Sequence, residues 1–131
     1  MQTILNAGQP AATTNQASEW NVLRNVEAAP GWIMHVDGVC TAQRLDPALA
    51  TKGVVYCSLD QASREQTALL DQYLMKECVK PSDTFFAALH AVLMRGGVVL
   101  YVPAGVSIEE PLRAGTWLNT GHAGSFHHTL V

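Results

Sequence analysis

Five histidines hold most of the chain's potential chemistry, and three of them, His122, His127 and His128, crowd into the stretch "GHAGSFHHTLV". Imidazole is a common ligand for zinc, copper, iron and nickel, so a cluster of this kind raises a metal-site hypothesis. On a strand, however, His127 and His128 point to opposite faces and cannot both serve one ion without distortion. His122 and His128 could share a face only if the glycine-containing segment between them bends suitably. The nearby carboxylates Glu109 and Glu110 precede a proline turn and have no fixed relation to these rings; a solvated pair at a strand end is the simpler reading. The metal candidates are therefore His122, His127 and His128. They define an alternative reading of the chain as a small metal-dependent, cupin-like β-fold enzyme using His122 with His127 or His128. His35 sits within a strand and His90 beside the apolar stripe of a helix, and both read as structural.

The other reactive residue types point away from catalysis. Cys40, Cys57 and Cys78 form no C-x-x-C pair, so neither a zinc knuckle nor a thioredoxin-type motif is present. They read as free thiols used as small apolar residues. Gly96-Gly97 follows a helix, whereas phosphate is cradled by the N–H groups at a helix N-terminus. No G-K-[ST] motif and no G-x-S-x-G elbow occurs. No catalytic constellation emerges, and the chain does not read as an enzyme.

The elements that would position these side chains follow from pattern. Residues 1–17 are rich in Gln, Asn, Thr and Ala, without periodicity, and read as a flexible leader. Ser18 could cap a short helix through Trp20, Leu23 and Val26, ended by Pro30-Gly31. "WIMHV" before Asp37-Gly38 reads as a strand apolar on both faces, running into a turn. Residues 41–52 read as a connection with a helical turn after Asp46-Pro47, and Gly53 opens a second, β-branched strand. Ser58 with Gln61 fits a capping box for one helix carrying Leu59, Ala62, Leu69, Leu70, Tyr73 and Leu74, with Lys76 near its end. Ser82 or Asp83 would cap a further helix with Phe85, Phe86, Leu89, Val92 and Leu93 on one stripe, Arg95 in its last turn and Gly96-Gly97 as its stop. Val98–Val102 is a buried strand, Pro103 its end and Gly105 a permissive turn. Val106, Ser107 and Ile108 alternate as another strand. Two geometries remain for this pair of strands: a hairpin with Gly at the left-handed position, or successive strands rounding a corner of a β-helix coil.

Bulk properties exclude whole classes. At 131 residues the chain is one domain or a piece of a larger protein. A net charge of −3 with no Lys/Arg run argues against a nucleic-acid partner. No apolar stretch reaches spanning length, so no membrane is implied. The first residues lack the basic start and apolar core of a secretory signal, which makes a cytoplasmic location the expectation.

The order of features over residues 83–131 is more specific than any one of them. Asp83, Phe86, Ala88, Leu89, His90 and Ala91 are followed by Gly96–Val98 and Leu100–Pro103. Then come Gly105 and Val106, and finally Glu109, Pro111 and Leu112. This "GGVxLYVPxGV…ExPL" series resembles the SufB/SufD family of iron–sulfur cluster assembly proteins. "FHHTLV" looks like that family's next strand, and "WIMHVDG" and "GVVYCSLDQA" resemble segments of SufD-like members. The resemblance covers roughly Trp32 to Val131. It implies an α+β chain, a mixed helix and strand region leading into the first coil or coils of a truncated right-handed parallel β-helix. The corresponding divisions are a leader at 1–17, an N-terminal α/β region at 18–95 and the start of the β-helix core at 96–131. It implies a scaffold subunit rather than an enzyme, with a SufB/SufD-type paralogue and the ABC-type ATPase subunit SufC as partners. An exposed sheet edge at the end of the chain would also allow self-association. An iron–sulfur cluster is implied only for the full complex. The family's cluster-related residues lie further downstream, and none is carried onto Cys40, Cys57, Cys78 or the histidines.

Overall fold

In the computed structural model, residues 26, 28–119 and 124–131 are described. The proposed leader, most of the proposed Ser18 helix and His122 lie outside them. Gly31–Val36 forms β1, and Asp37 and Gly38 take positive φ angles of 49° and 83° to return the chain into β2, Val39–Leu45. Two consecutive positive-φ residues make the tight turn whose twist suits a hairpin, and Asp-Gly tolerates it best. β2 replaces the connection expected over 41–45. Its exposed residues alternate irregularly, because it is an edge strand with polar side chains toward water. A one-residue bulge opposite Met34 and His35 takes up Thr41, whose hydroxyl donates to the Met34 carbonyl at 3.3 Å.

Asp46 caps the short helix α1, Pro47–Thr51, accepting from the Ala48 N–H at 2.8 Å. β3 spans Val55–Ser58. The helix that follows is two helices: α2, Leu59–Glu65, and α3, Thr67–Tyr73, separated where Gln66 leaves helical dihedrals at φ −129° and ψ 37°. The break re-aims the stripe so that Leu59, Ala62 and Leu70 all reach one core. Ser58 accepts from the Gln61 N–H as expected, but the reciprocal half of the capping box is absent. The Ser58 N–H donates instead to Gln43 Oε1 at 2.9 Å, and Gln61 reaches Gln43 and Glu65.

Thr84, not Ser82 or Asp83, caps α4, Phe85–Leu93, by accepting from the Ala87 N–H at 3.0 Å; Asp83 is occupied by the Lys80 N–H. α4 ends at an extended Met94, so Arg95 lies beyond its last turn and Gly96-Gly97 is not its stop. That pair instead opens β4, Gly97–Tyr101. Pro103 and Gly105 (φ 79°) form a turn closed by the Val106 N–H on the Pro103 carbonyl at 3.1 Å. Residues 106–108 are not a strand, so the hairpin option falls. The next strand is β5, Arg113–Trp117, and β6 is His128–Leu130.

These strands build two sheets, ordered β2-β1-β5 and β3-β4-β6. β1–β2 and β3–β4 are antiparallel, while β1–β5 and β4–β6 are parallel. Each sheet therefore gains its outer parallel strand from the last part of the chain. Ile33, Tyr56 and Val98 meet between the sheets, and the Tyr56 hydroxyl donates to the Arg113 carbonyl at 2.8 Å to tie β3 to β5. Cys57 and Val99, their neighbours in sequence, face the other way onto Leu59, Ala62 and Leu70. The period-two alternation of β3 and β4 thus feeds two cores, one between sheets and one under α2 and α3.

Candidate interaction surface and histidine pairs

β5 and β6 are edge strands, and both are parallel to the strands they extend. An edge of this kind presents unpaired N–H and C=O groups as a template for a further strand. Beside β6, Leu69, Tyr73, Leu100, Tyr101, Leu130 and Val131 line an apolar recess of about 110 Å³.

α4 contributes a second surface. An apolar helical stripe ordinarily faces the core. Here Phe85 is 75% exposed, Phe86 77% and Val92 82%, with Leu93 also exposed, while Ala87 is the buried residue of the helix. The small side supports the body of the fold, and the large side, with Phe85 and Phe86 packed edge to face at 5.7 Å, meets solvent. Contiguous exposed apolar surface of this kind marks interaction sites. Periodicity revealed the stripe but not its direction, which depends on what the other face packs against.

The histidines are brought together in pairs rather than in one centre. His35 is fully buried on β1, and its ring meets that of His127 edge to face at 4.7 Å. Neither His35 nitrogen, nor His127 Nε2, has a hydrogen-bond partner among the described residues. His127 Nδ1 lies 3.4 Å from the Thr116 hydroxyl. On the opposite face of the segment, His128 Nδ1 is 3.1 Å from His90 Nε2 on α4. Burial lowers the pKa of His35, as does the neighbouring His127, against the pull of Asp60 and the Gly97 backbone. Burial and His90 lower that of His128. Sequence reasoning placed 127 and 128 on opposite faces; it had no signal for His35 and His90 as their partners.

Among the described residues, no group of three or more His, Cys, Asp or Glu side chains could hold a metal ion. Glu109 and Glu110 are exposed. Cys57 is buried, Cys40 partly so, and Cys78 exposed, all as free thiols. Burial raises the pKa of both Cys40 and Cys57, which keeps them protonated and weakly nucleophilic at neutral pH. Among the described residues, no helix is long and apolar enough to cross a membrane.

The profile of the SufBD protein N-terminal region matches residues 26–114. Over 87 residues, 66% of the chain, it is 37% identical to the iron–sulfur cluster assembly protein SufD of Bacillus subtilis (strain 168), covering 20% of that protein. It is 35% identical to SufB of the same organism over 83 residues, 63% of the chain and 18% of SufB. A SufBD family protein of Synechocystis, slr0074, is 33% identical over 95 residues, covering 72% of this chain and 20% of the relative. The chain thus spans about a fifth of the length of these relatives. No solved structure matches it.

Proposed function

Because this chain belongs to the SufB/SufD family of iron–sulfur cluster assembly proteins, we propose that it works there as the N-terminal part of a scaffold subunit, through protein–protein contact rather than catalysis. The partners are a SufB/SufD-type paralogue and, through the whole subunit, the ATPase SufC; the compartment is the cytoplasm. Any iron–sulfur cluster is held by the full complex. The observation that carries the reading is the pair of parallel edge strands β5 and β6. From β4 the chain turns at Pro103–Gly105, crosses to the other sheet as β5, and returns to lie parallel on β4 as β6. We read this circuit as the first coil of a right-handed parallel β-helix whose further coils stack on those edges. The outward face of α4 supports an interaction role independently. The cupin-like alternative, His122 with His127 or His128, gains no support: His122 lies outside the described residues, and no group of three or more His, Cys, Asp or Glu among those residues could hold a metal ion.

The test is capture of a SufB- or SufD-type subunit and of SufC by the protein in its full-length context. Co-purification is expected, with at least a ten-fold affinity loss when Phe85→Asp and Phe86→Asp are combined, since central aromatic anchors dominate interfaces. Repeated failure of the unmodified protein to capture any partner would overturn the scaffold role. Stoichiometric bound metal that disappears in His127→Ala or His128→Ala would restore the alternative.

A further inference from the structure

We propose that the two histidine pairs form a proton-sensitive latch on residues 124–131, holding this segment against β1 and α4 at neutral pH and releasing it on acidification. The segment is stitched lightly to the body. The Arg95 N–H donates to the Phe126 carbonyl at 2.9 Å, the His128 N–H approaches the Gly96 carbonyl at 3.5 Å, and β6 is three residues long. The short parallel ladder of β6 on β4 and the segment's side chains supply the remaining grip, and two consecutive side chains are histidines aimed into separate histidine contacts. On one side His35, with no exposed surface, lies against His127 with three ring nitrogens unpartnered between them among the described residues. A cation there would be buried against the His127 ring with only Asp60 and the Gly97 backbone to offset it, which a protein avoids by keeping the ring neutral or by opening. On the other side the His90–His128 contact needs one nitrogen to donate and one to accept. Once both rings are cationic, all four nitrogens are donors and the contact becomes repulsive.

The groups around each ring bear this out. From α2, Asp60 favours the His35 cation, and so does the Gly97 backbone of β4. Burial and His127 oppose it more strongly. From β5, the Thr116 hydroxyl contributes no charge. From α4, His90 opposes protonation of His128, in the same direction as burial. Both rings are thus held neutral in the closed segment, and a proton is taken up on opening. The sign follows: the latch is closed above the ordinary imidazole pKa of 6.5 and weakens as pH falls below it. Each proton taken up raises the opening constant about ten-fold per pH unit, and two raise it up to about a hundred-fold.

Amide hydrogen exchange on the chain, corrected for intrinsic rates, reads the opening directly. Between about pH 8 and pH 5, protection of the β6 amides should be flat at first and then fall by ten- to a hundred-fold per unit below about 6.5. Amides of the β1–β2 hairpin serve as the internal reference and should keep their protection. In the double variant His35→Phe with His128→Leu, the pH dependence of β6 should vanish. If that variant does not fold, the wild-type ring C–H resonances decide: in the folded chain His35 and His128 should titrate below the ordinary value. Flat β6 protection down to about pH 5, equal loss in β6 and the hairpin, or ordinary titration of both rings would each overturn the latch.

Discussion

Replacing Gly97 by alanine should cost far more than replacing Gly105, although both glycines have positive φ. Gly97 sits at φ 147° where β4 begins, and a Cβ there would lie 2.1 Å from the His128 carbonyl oxygen and 3.1 Å from that residue's carbonyl carbon and nitrogen. These are backbone atoms of the paired strand, with no flexible side chain to yield. An ordinary carbon–oxygen contact is about 3.3 Å, so β6 must retreat by roughly 1 Å. That displacement stretches the ladder through Gly97–His128, Val98–Thr129 and Val99–Leu130 beyond hydrogen-bonding distance. Backbone strain of about 1–3 kcal/mol and two lost bonds at about 1 kcal/mol each give a total of about 3–5 kcal/mol. Gly105 has φ 79° but nothing within 4 Å of its would-be Cβ. Only the left-handed penalty of about 1–2 kcal/mol applies, partly offset by a less flexible unfolded chain. Urea titration of both variants, with amide exchange on β6, separates the cases. The Gly97→Ala chain should lose β6 protection even if the rest stays folded. A Gly97→Ala variant no less stable than Gly105→Ala, with β6 still protected, would refute the close-approach argument.

Ile33→Ala, at a fully buried position between the sheets, should cost about 2–5 kcal/mol in urea. By contrast, combined Phe85→Ser and Phe86→Ser should shift stability by no more than about 0.5 kcal/mol, because those rings already meet solvent. A large loss there would mean that α4 packs the other way round. Ser58→Ala removes the cap on α2 and should cost about 0.5–1 kcal/mol, the low end being favoured by the 3.3 Å bond. Tyr56→Phe should cost about 1–2 kcal/mol by leaving the Arg113 carbonyl without its 2.8 Å donor. Burial pushes the Tyr56 phenol up to about 12, above its ordinary value of 10. Its stabilisation is therefore complete below pH 10 and is lost as pH rises through about 12, which ultraviolet titration alongside unfolding checks.

What the sequence made legible was local chemistry with one available answer. Asp37-Gly38 demands a tight turn, Ser58 before an apolar helix demands a cap, and the Val98–Val102 run demands cover on both faces; each appears where the residues ask for it, the strand itself running from Gly97 to Tyr101. What stayed hidden was set by distant partners. β5, "RAGTW", has no alternating apolar pattern and is largely exposed. It is a strand because β1, some eighty residues earlier, offers it a parallel ladder. β2 was hidden by its polar residues, which an edge strand can turn to water. The α4 stripe was visible and its direction was not, since a face is buried only by what arrives to cover it. The histidines follow the same logic. Period two alone separates His127 from His128, but only the stacking of β6 on β4 carries one to His35 and the other to His90. Long-range parallel pairing thus fixes both the open edges and the histidine contacts. A change that loosens β6, such as Gly97→Ala, should therefore disturb the His35 and His90 contacts together.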